Sequence, residues 1–207
     1  AVTSSDEPVA DHYVIPHTAP GKTLVGGPSN AGGLFLNWVS DLVADGGPPD
    51  PGAVPVWAPF PRGERVPLND PTRRAVLAGL DLTHGPGAVR RAAFEASGFV
   101  ARRMLEATKV DALRIVATGG GTRVEQWVQA LADATALPVD CVAVPEGGAL
   151  GSAWLARIAA GLEEPAAMTE GRRWARTGRR VEPDARWVPA VAARYDEFLD
   201  LTELGYP

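Results

Sequence analysis

The residues best placed to do chemistry stand in the stretch RIVATGGGTRVEQWVQALAD, from Arg114 to Asp133. There three consecutive glycines, Gly119, Gly120 and Gly121, separate an apolar strand pattern from an amphipathic helix pattern. Glycine carries no Cβ, so backbone amides at such a junction can approach a ligand closely, and the start of the following helix favours negative charge. Phosphate or ribose is the group this arrangement suits. A tight connection with no ligand uses the same residues, and both readings fit this window. A second strand–glycine–helix junction, VPEGGALGSAW, carries Gly147, Gly148, Ala149, Gly151, Ser152 and Ala153. These small residues let a helix start pack closely against a helix, a ligand or both.

Neither junction is a standard nucleotide fingerprint. Counted from Gly119, the pattern G-x-G-x-x-G fails at Val124, and G-x-x-x-x-G-K followed by Ser or Thr occurs nowhere. His12, His17 and His84 are not clustered as metal ligands would be, and the single cysteine, Cys141, excludes a cysteine-rich zinc site. Cys141 sits in the apolar run LPVDCVAV and reads as a buried structural thiol in a reducing compartment. His84 in LTHGP reads as a capping or packing residue. Asp70, Asp81 and Glu95 show no paired arrangement and receive no acid–base role. The basic run EGRRWARTGRR belongs to a chain of net charge −5, so it reads as a solvated tail rather than a nucleic-acid patch. No apolar run reaches the ~18 residues of a membrane helix.

The elements that must position these junctions can be read from period and punctuation. AVTSS, HYVIPH and KTLVGG are short strand patterns separated by Pro, Gly and Asp, and predict an antiparallel group. In SNAGGLFLNWVSDLVADGG the period changes. Leu34, Trp38 and Leu42 recur every four residues, which predicts a helix capped by Ser29 or Asn30 and closed by Gly46–Gly47. A long proline-containing loop follows between VPVWAPF and AVLAGLDL, and loops of this length are usually functional. After THGPG a helix is predicted to about Thr108, with Pro86 in its first turn and Val89, Ala93, Ala96, Val100 and Met104 on one face. DALRIVAT and LPVDCVAV are strands, each followed by a helix, so an α/β layer with right-handed crossovers is expected. At 207 residues, 45% hydrophobic and 22% charged, the chain reads as one globular domain with a tail.

Three segments taken together carry a specific resemblance. PFPRGERVPLNDPTRRAVLAGLDLTHGPGAVRRAAFEASGF, TGGGTRVEQWVQALADATALPV and PEGGALGSAWLARIAAG resemble, in order and spacing, the C-terminal half of the FGGY family of carbohydrate kinases, its xylulokinase branch above all. The resemblance covers roughly Ala1 to Gly161. It implies an actin-like ATPase domain of the RNase H-like kind, an α/β fold with a mixed sheet and helices packed on it. Residues 1–162 would be the nucleotide-binding domain and 163–207 a charged helical tail packed on it, with the N-terminal sugar-binding domain absent from this chain.

The resemblance also assigns residues. Gly119, Gly120 and Gly121 match the glycine run that lies against the nucleotide, and Val124 stands beside it where relatives often carry Ser or Asn. Ala88 is a second departure, at a position usually polar in the family. Gly33 and Asn37 in AGGLFLNW match a helix that contacts nucleotide, and their spacing of four puts them on one helical face. EGGALG resembles the segment joining the two domains, and RGERVP a loop in which Glu64 and Arg65 serve structure. The implied reaction transfers the γ-phosphate of ATP, with Mg2+, to a hydroxyl of D-xylulose or a related pentulose. Other pentuloses and gluconate-like acids are competing acceptors. The base, a phosphate loop and most sugar contacts are expected upstream of Ala1, so no catalytic residue and no metal ligand is assigned here and the chain alone is expected to be inactive. A cytoplasmic location, no nucleic-acid or membrane partner, and a possible homodimer complete the expectation. The alternative is a non-catalytic module of the same fold that senses nucleotide or sugar.

Overall fold

The computed structural model describes residues 1–144, 146–167 and 176–203. Its first sheet is built from β1 (Val2–Thr3), β2 (Tyr13–Pro16) and β3 (Thr23–Gly26), paired antiparallel in the order β1-β3-β2. This is the expected antiparallel group.

Helix α1 (Gly33–Leu42) corrects the expectation in three respects. Its buried face is Phe35, Leu36 and Val39, whereas Leu34 is 75% and Leu42 60% exposed. Two apolar stripes run along this helix; the one carrying Phe35 is buried against Trp57 and against Ala92, Ala93, Ala96 and Ala130, while Trp38 of the other stripe lies 5.8 Å from the Trp57 ring and stays half-exposed. The N-cap is Gly32, with no side-chain bond, because the Ser29 hydroxyl donates to Glu64 and the Asn30 side chain to the Gly63 carbonyl instead. The helix stops at Leu42, and Val43 is already extended, short of Gly46–Gly47.

Strands β4 (Val56–Ala58) and β5 (Val76–Ala78) form an antiparallel ribbon around the proline-containing loop. Helix α2 (Pro86–Thr108) has the predicted limits. Pro86 lies in its first turn, where the missing N–H has no intrahelical partner to lose, and Lys109 closes it in the left-handed conformation. Ala93, Ala96 and Val100 are buried on the predicted face. Next come β6 (Ile115–Ala117), a 3-10 turn (Gly120–Arg123), α3 (Glu125–Thr135), β7 (Val139–Val142) and α4 (Gly147–Ala159).

The described part of the tail is not wholly helical. It supplies β8 (Thr177–Val181) and α5 (Val188–Glu203). Strand β7 pairs parallel with β6 and antiparallel with β8, so this second sheet, in the order β6-β7-β8, is mixed. Residues 168–175, which hold part of the basic run, lie outside the described residues. The remainder of that run is β8, whose arginines are paired rather than free: Arg180 meets Asp140 at 3.2 Å and Glu182 at 2.7 Å.

The core crosses the expected boundary at residue 162. Val191, Tyr195 and Phe198 of α5 lie in one buried cluster with Phe60, Phe99 and Val100, and each such side chain removed from water stabilises by ~1.5–3 kcal/mol. A second cluster joins α1, α2 and α3 through Phe35, Val39, Ala92, Ala93, Ala96 and Ala130. A third, with Val128, Ala132, Val139 and Cys141, seats α3 on the mixed sheet.

A buried ionic group ties the same helices together. Glu95 accepts from Arg91 Nε and Arg194 Nε, both at 2.7 Å, and Arg91 Nη2 reaches Asp133 at 2.6 Å. The Arg91 guanidinium also lies 4.0 Å over the Trp187 ring. Charges buried in this way are tolerated because each is paired and hydrogen-bonded. Both Glu95 carboxylate oxygens are thus engaged by arginines that link α2 to α5. Among the described residues no helix is long and apolar enough to cross a membrane.

Candidate functional site

The glycine run emerges from the C-terminal end of β6, where a parallel α/β layer leaves room for a ligand. Its three glycines are there for three different physical reasons. Gly119 has φ 91° and ψ −179°, a region open in practice to glycine alone. Gly121 lies against an indole: a Cβ built there would sit 2.3 Å from Trp127 Cζ3. Gly120 is required by neither effect. Its φ is not positive and nothing lies within 4 Å of the place a Cβ would take, so one side of its backbone faces open space.

The turn is held from within. Thr122 donates to the Gly119 carbonyl through its amide at 3.2 Å and its hydroxyl at 2.8 Å, and the Val124 amide donates to the Gly121 carbonyl at 3.1 Å. The amides of Gly120 and Gly121 open the turn, where a helix leaves its first N–H groups without an internal partner. Val124 is the N-cap of α3 and has no side-chain capping bond; the residue is 42% exposed. The position is open, but it offers no polar contact to a ligand.

Trp127 is the floor of the site. Its Nε1 donates to Ser97 Oγ at 3.2 Å, and its ring packs on the cluster that holds Phe35, Leu36 and Val39. Gly33 and Asn37 are exposed on the outer face of the same α1 that sends those three residues inward. The structure therefore brings Gly119, Gly120, Gly121 and Val124 together in one turn and puts Gly33 and Asn37 together on one helical face. It joins the two sets through the core under Trp127; no hydrogen bond between them is found among the described residues. A cavity of about 170 Å³ beside Gly121 is lined by Ala117, Thr118, Thr122, Trp127, Val128 and Leu131. Small-molecule sites span ~300–1,000 Å³, so this notch can take part of a nucleotide at most.

The second glycine junction abuts the first. A Cβ on Gly147 would stand 2.6 Å from Thr118 Oγ1, and Arg123 Nη2 meets Glu146 Oε1 at 3.3 Å. Gly148 and Gly151 face open space. Sequence reading gave the two junctions separately, without their contact.

Glu64 ties the loop after β4 to the approach to α1. Its Oε1 accepts from the Asn30 and Arg65 amides at 2.8 and 2.7 Å, and its Oε2 accepts from Ser29 Oγ at 2.8 Å. Burial raises its pKa, against the lowering effect of those donors and of the nearby Arg65 charge. The loop role expected for the Glu64–Arg65 pair is present, but it runs through the Arg65 amide and not its guanidinium. His84 accepts the Asp81 amide at 3.0 Å and closes a surface turn. Among the described residues no three His, Cys, Asp or Glu side chains are grouped so as to hold a metal ion. What sequence reading missed altogether is Arg179 of β8, whose Nη2 donates to the Thr122 carbonyl at 2.9 Å. The signal lay in a charged run that read as solvated.

With this geometry in place, the likeness to known proteins can be read. The family model described as the C-terminal domain of the FGGY family of carbohydrate kinases matches residues 2–160. The xylulose kinase of Escherichia coli K12 is 37% identical over 134 residues, 62% of this chain and 28% of that protein. A glycerol kinase of Cereibacter sphaeroides is 37% identical over 147 residues, 63% of this chain and 29% of that protein. The crystal structure of ligand-bound xylulose kinase from Lactobacillus acidophilus superposes with a TM-score of 0.82 at 22% identity, over 98% of this chain and 44% of that one. The chain thus matches less than a third of the length of these two curated relatives. The fold is the expected actin-like ATPase type, α/β with a mixed sheet, and the chain belongs to the FGGY family of carbohydrate kinases, within which it corresponds to the C-terminal domain.

Proposed function

We propose that this chain is the nucleotide-binding half of an ATP-dependent carbohydrate kinase of the cytoplasm, one that moves the γ-phosphate of ATP to a hydroxyl of D-xylulose or a related pentulose. The observation that carries the reading is Gly120. In a turn where Gly119 is explained by its backbone and Gly121 by Trp127, Gly120 is required by neither, and its open side supports the reading that a ligand approaches the backbone there. Xylulose kinases among the relatives favour a pentulose, while glycerol kinases among them make glycerol the comparison acceptor.

In this reading the Gly119–Gly121 backbone and the cavity beside Gly121 receive the nucleotide, and the exposed carboxamide of Asn37 meets its base side. The rigid floor supplied by Trp127 holds the turn in place before the ligand arrives, so little ordering is left to do on binding. Mg2+, which prefers phosphate oxygens and water to an all-protein cage, would travel with the nucleotide; the described residues offer it no ligand set and no step is assigned to it. The proton acceptor for the sugar hydroxyl and most sugar contacts belong to the N-terminal half, as does the water-excluding closure of the two lobes. The reading predicts negligible kinase activity from this chain alone.

Calorimetric titration with MgADP tests the reading. Saturable binding that Asn37→Ala weakens supports it, and transfer to D-xylulose rather than glycerol by the chain joined to an N-terminal half would fix the acceptor. Absence of binding by the folded chain at millimolar MgADP, persisting when that half is present, would overturn it. MgADP binding with no phosphoryl transfer in the joined protein would instead select the non-catalytic sensing module, which the apolar Val124 beside the turn favours.

A further inference from the structure

We infer that Arg179, contributed by the last strand of the sheet and outside the segment matched by the family model, is a positioning residue for the glycine turn. The inference rests on the proposal that the turn receives nucleotide. Thr122 sits at the carbonyl end of the 3-10 turn, where helical carbonyls lack an internal donor. Its oxygen is met by Arg179 Nη2 at 2.9 Å, across 57 residues of sequence.

Arg179 has further contacts on its own strand and around its half-exposed guanidinium. In the β7–β8 ladder it stands opposite Cys141, where the strands pass through an irregularity between Cys141 and Val142. Its Nη2 is also 3.9 Å from Cys141 Sγ, and its Nη1 lies 3.5 Å from Glu125 in the first turn of α3. The preceding residue is clamped as well, since a Cβ on Gly178 would fall 2.7 Å from Ala143 Cα. A guanidinium held in this way presents its fork at a set angle, which a lysine ammonium does not.

The consequence for the site is directional. The carbonyl end of the turn is tied to β8 while Gly119 and Gly120 face open space, so the contact sets which way the open side of the backbone looks. Without Arg179 the Thr122 carbonyl has no donor among the described residues, and the turn is free to rock on Gly119. Arg179 touches the turn and not the proposed ligand surface, so its effect on nucleotide binding is indirect.

Amide hydrogen exchange and MgADP calorimetry on Arg179→Met and Arg179→Lys, beside the unsubstituted chain, test the inference. Arg179→Met should speed exchange at the bonded amides of Thr122 and Val124 and weaken MgADP about tenfold, the scale of one partly exposed charge-assisted hydrogen bond. Arg179→Lys should restore part of both, and the thermal midpoint should stay within a few degrees. Unchanged exchange at the Thr122 and Val124 amides in Arg179→Met would overturn the inference. So would exchange that rises equally along β7 and β8, because the residue would then be holding the sheet and not the turn. If neither the unsubstituted chain nor the chain joined to an N-terminal half binds MgADP, the nucleotide reading falls, while the exchange arm still decides whether Arg179 holds the turn.

Discussion

Replacing Gly120 and Gly121 in turn by alanine separates fold from ligand within two adjacent residues. For Gly121→Ala the new methyl would stand 2.3 Å from Trp127 Cζ3, against the ~3.5–4.0 Å of an ordinary carbon contact, so ring or turn must move by more than ~1 Å. The ring has little freedom, being bonded to Ser97 and packed on the α1–α2–α3 cluster. Overpacking of this kind costs ~1–3 kcal/mol. For a chain of this length that lowers the midpoint by ~2–4 °C per kcal/mol, roughly 2–12 °C in all. For Gly120→Ala nothing lies within 4 Å and φ is not positive, so restricting the unfolded chain should leave stability unchanged or raise it by up to ~1 kcal/mol. MgADP binding should nonetheless weaken by at least ~tenfold, or ~1.4 kcal/mol, because the methyl occupies the face the nucleotide needs. Differential scanning calorimetry and MgADP titration on the two variants read both effects. A Gly120→Ala protein that binds MgADP as the parent does would refute the assignment of that open face to the nucleotide. An unshifted midpoint for Gly121→Ala would refute the role given to Trp127.

Two further outcomes follow from the core. Phe198→Ala removes a fully buried ring and should cost ~3–5 kcal/mol, while Leu34→Ala, on the exposed face of α1, should stay within ~0.5 kcal/mol; chemical denaturation of both would show whether the buried surfaces are those described. Tyr195 has its pKa raised well above 10, first by burial and then by its bond to Glu106. A raised folded value means the contribution is complete below pH ~10 and is lost as pH rises above it, since only the unfolded chain then gives up the proton. Ultraviolet difference titration should show Tyr195 ionising only with unfolding, and Tyr195→Phe should flatten the alkaline loss of stability.

How far the sequence foretold this structure depends on how local each determinant is. Helix α2 was legible to its ends because Pro86 marks its start and its apolar period is single. Helix α1 was legible in place but not in orientation, because Leu34, Trp38, Leu42 and Phe35, Leu36, Val39 are both plausible inner stripes; the choice is made by packing against Trp57 and the alanines of α2 and α3, which lie far away in sequence. Strand β8 was not legible, since TGRRV looks solvated until Asp140 and the Thr122 carbonyl are known to face its arginines. The site shows the same division. The glycine run stands out in the sequence, whereas the separate reasons for Gly119, Gly120 and Gly121 depend on a backbone angle and on where an indole comes to rest.

The crossing of residue 160 by the core has a consequence for biosynthesis. The match to the family model ends there, yet Tyr195 and Phe198 cover Phe99 and the second sheet lacks an edge until β8 arrives. At ~5–20 residues per second, the ribosome needs roughly 2–8 s to advance from residue 160 to residue 198. For that interval the nascent chain carries an uncovered aromatic patch and an unpaired strand edge, the features that chaperones bind and that aggregation exploits. The unit that folds is therefore longer than the unit that the family model marks out, and an expression boundary drawn at residue 160 would cut through a core.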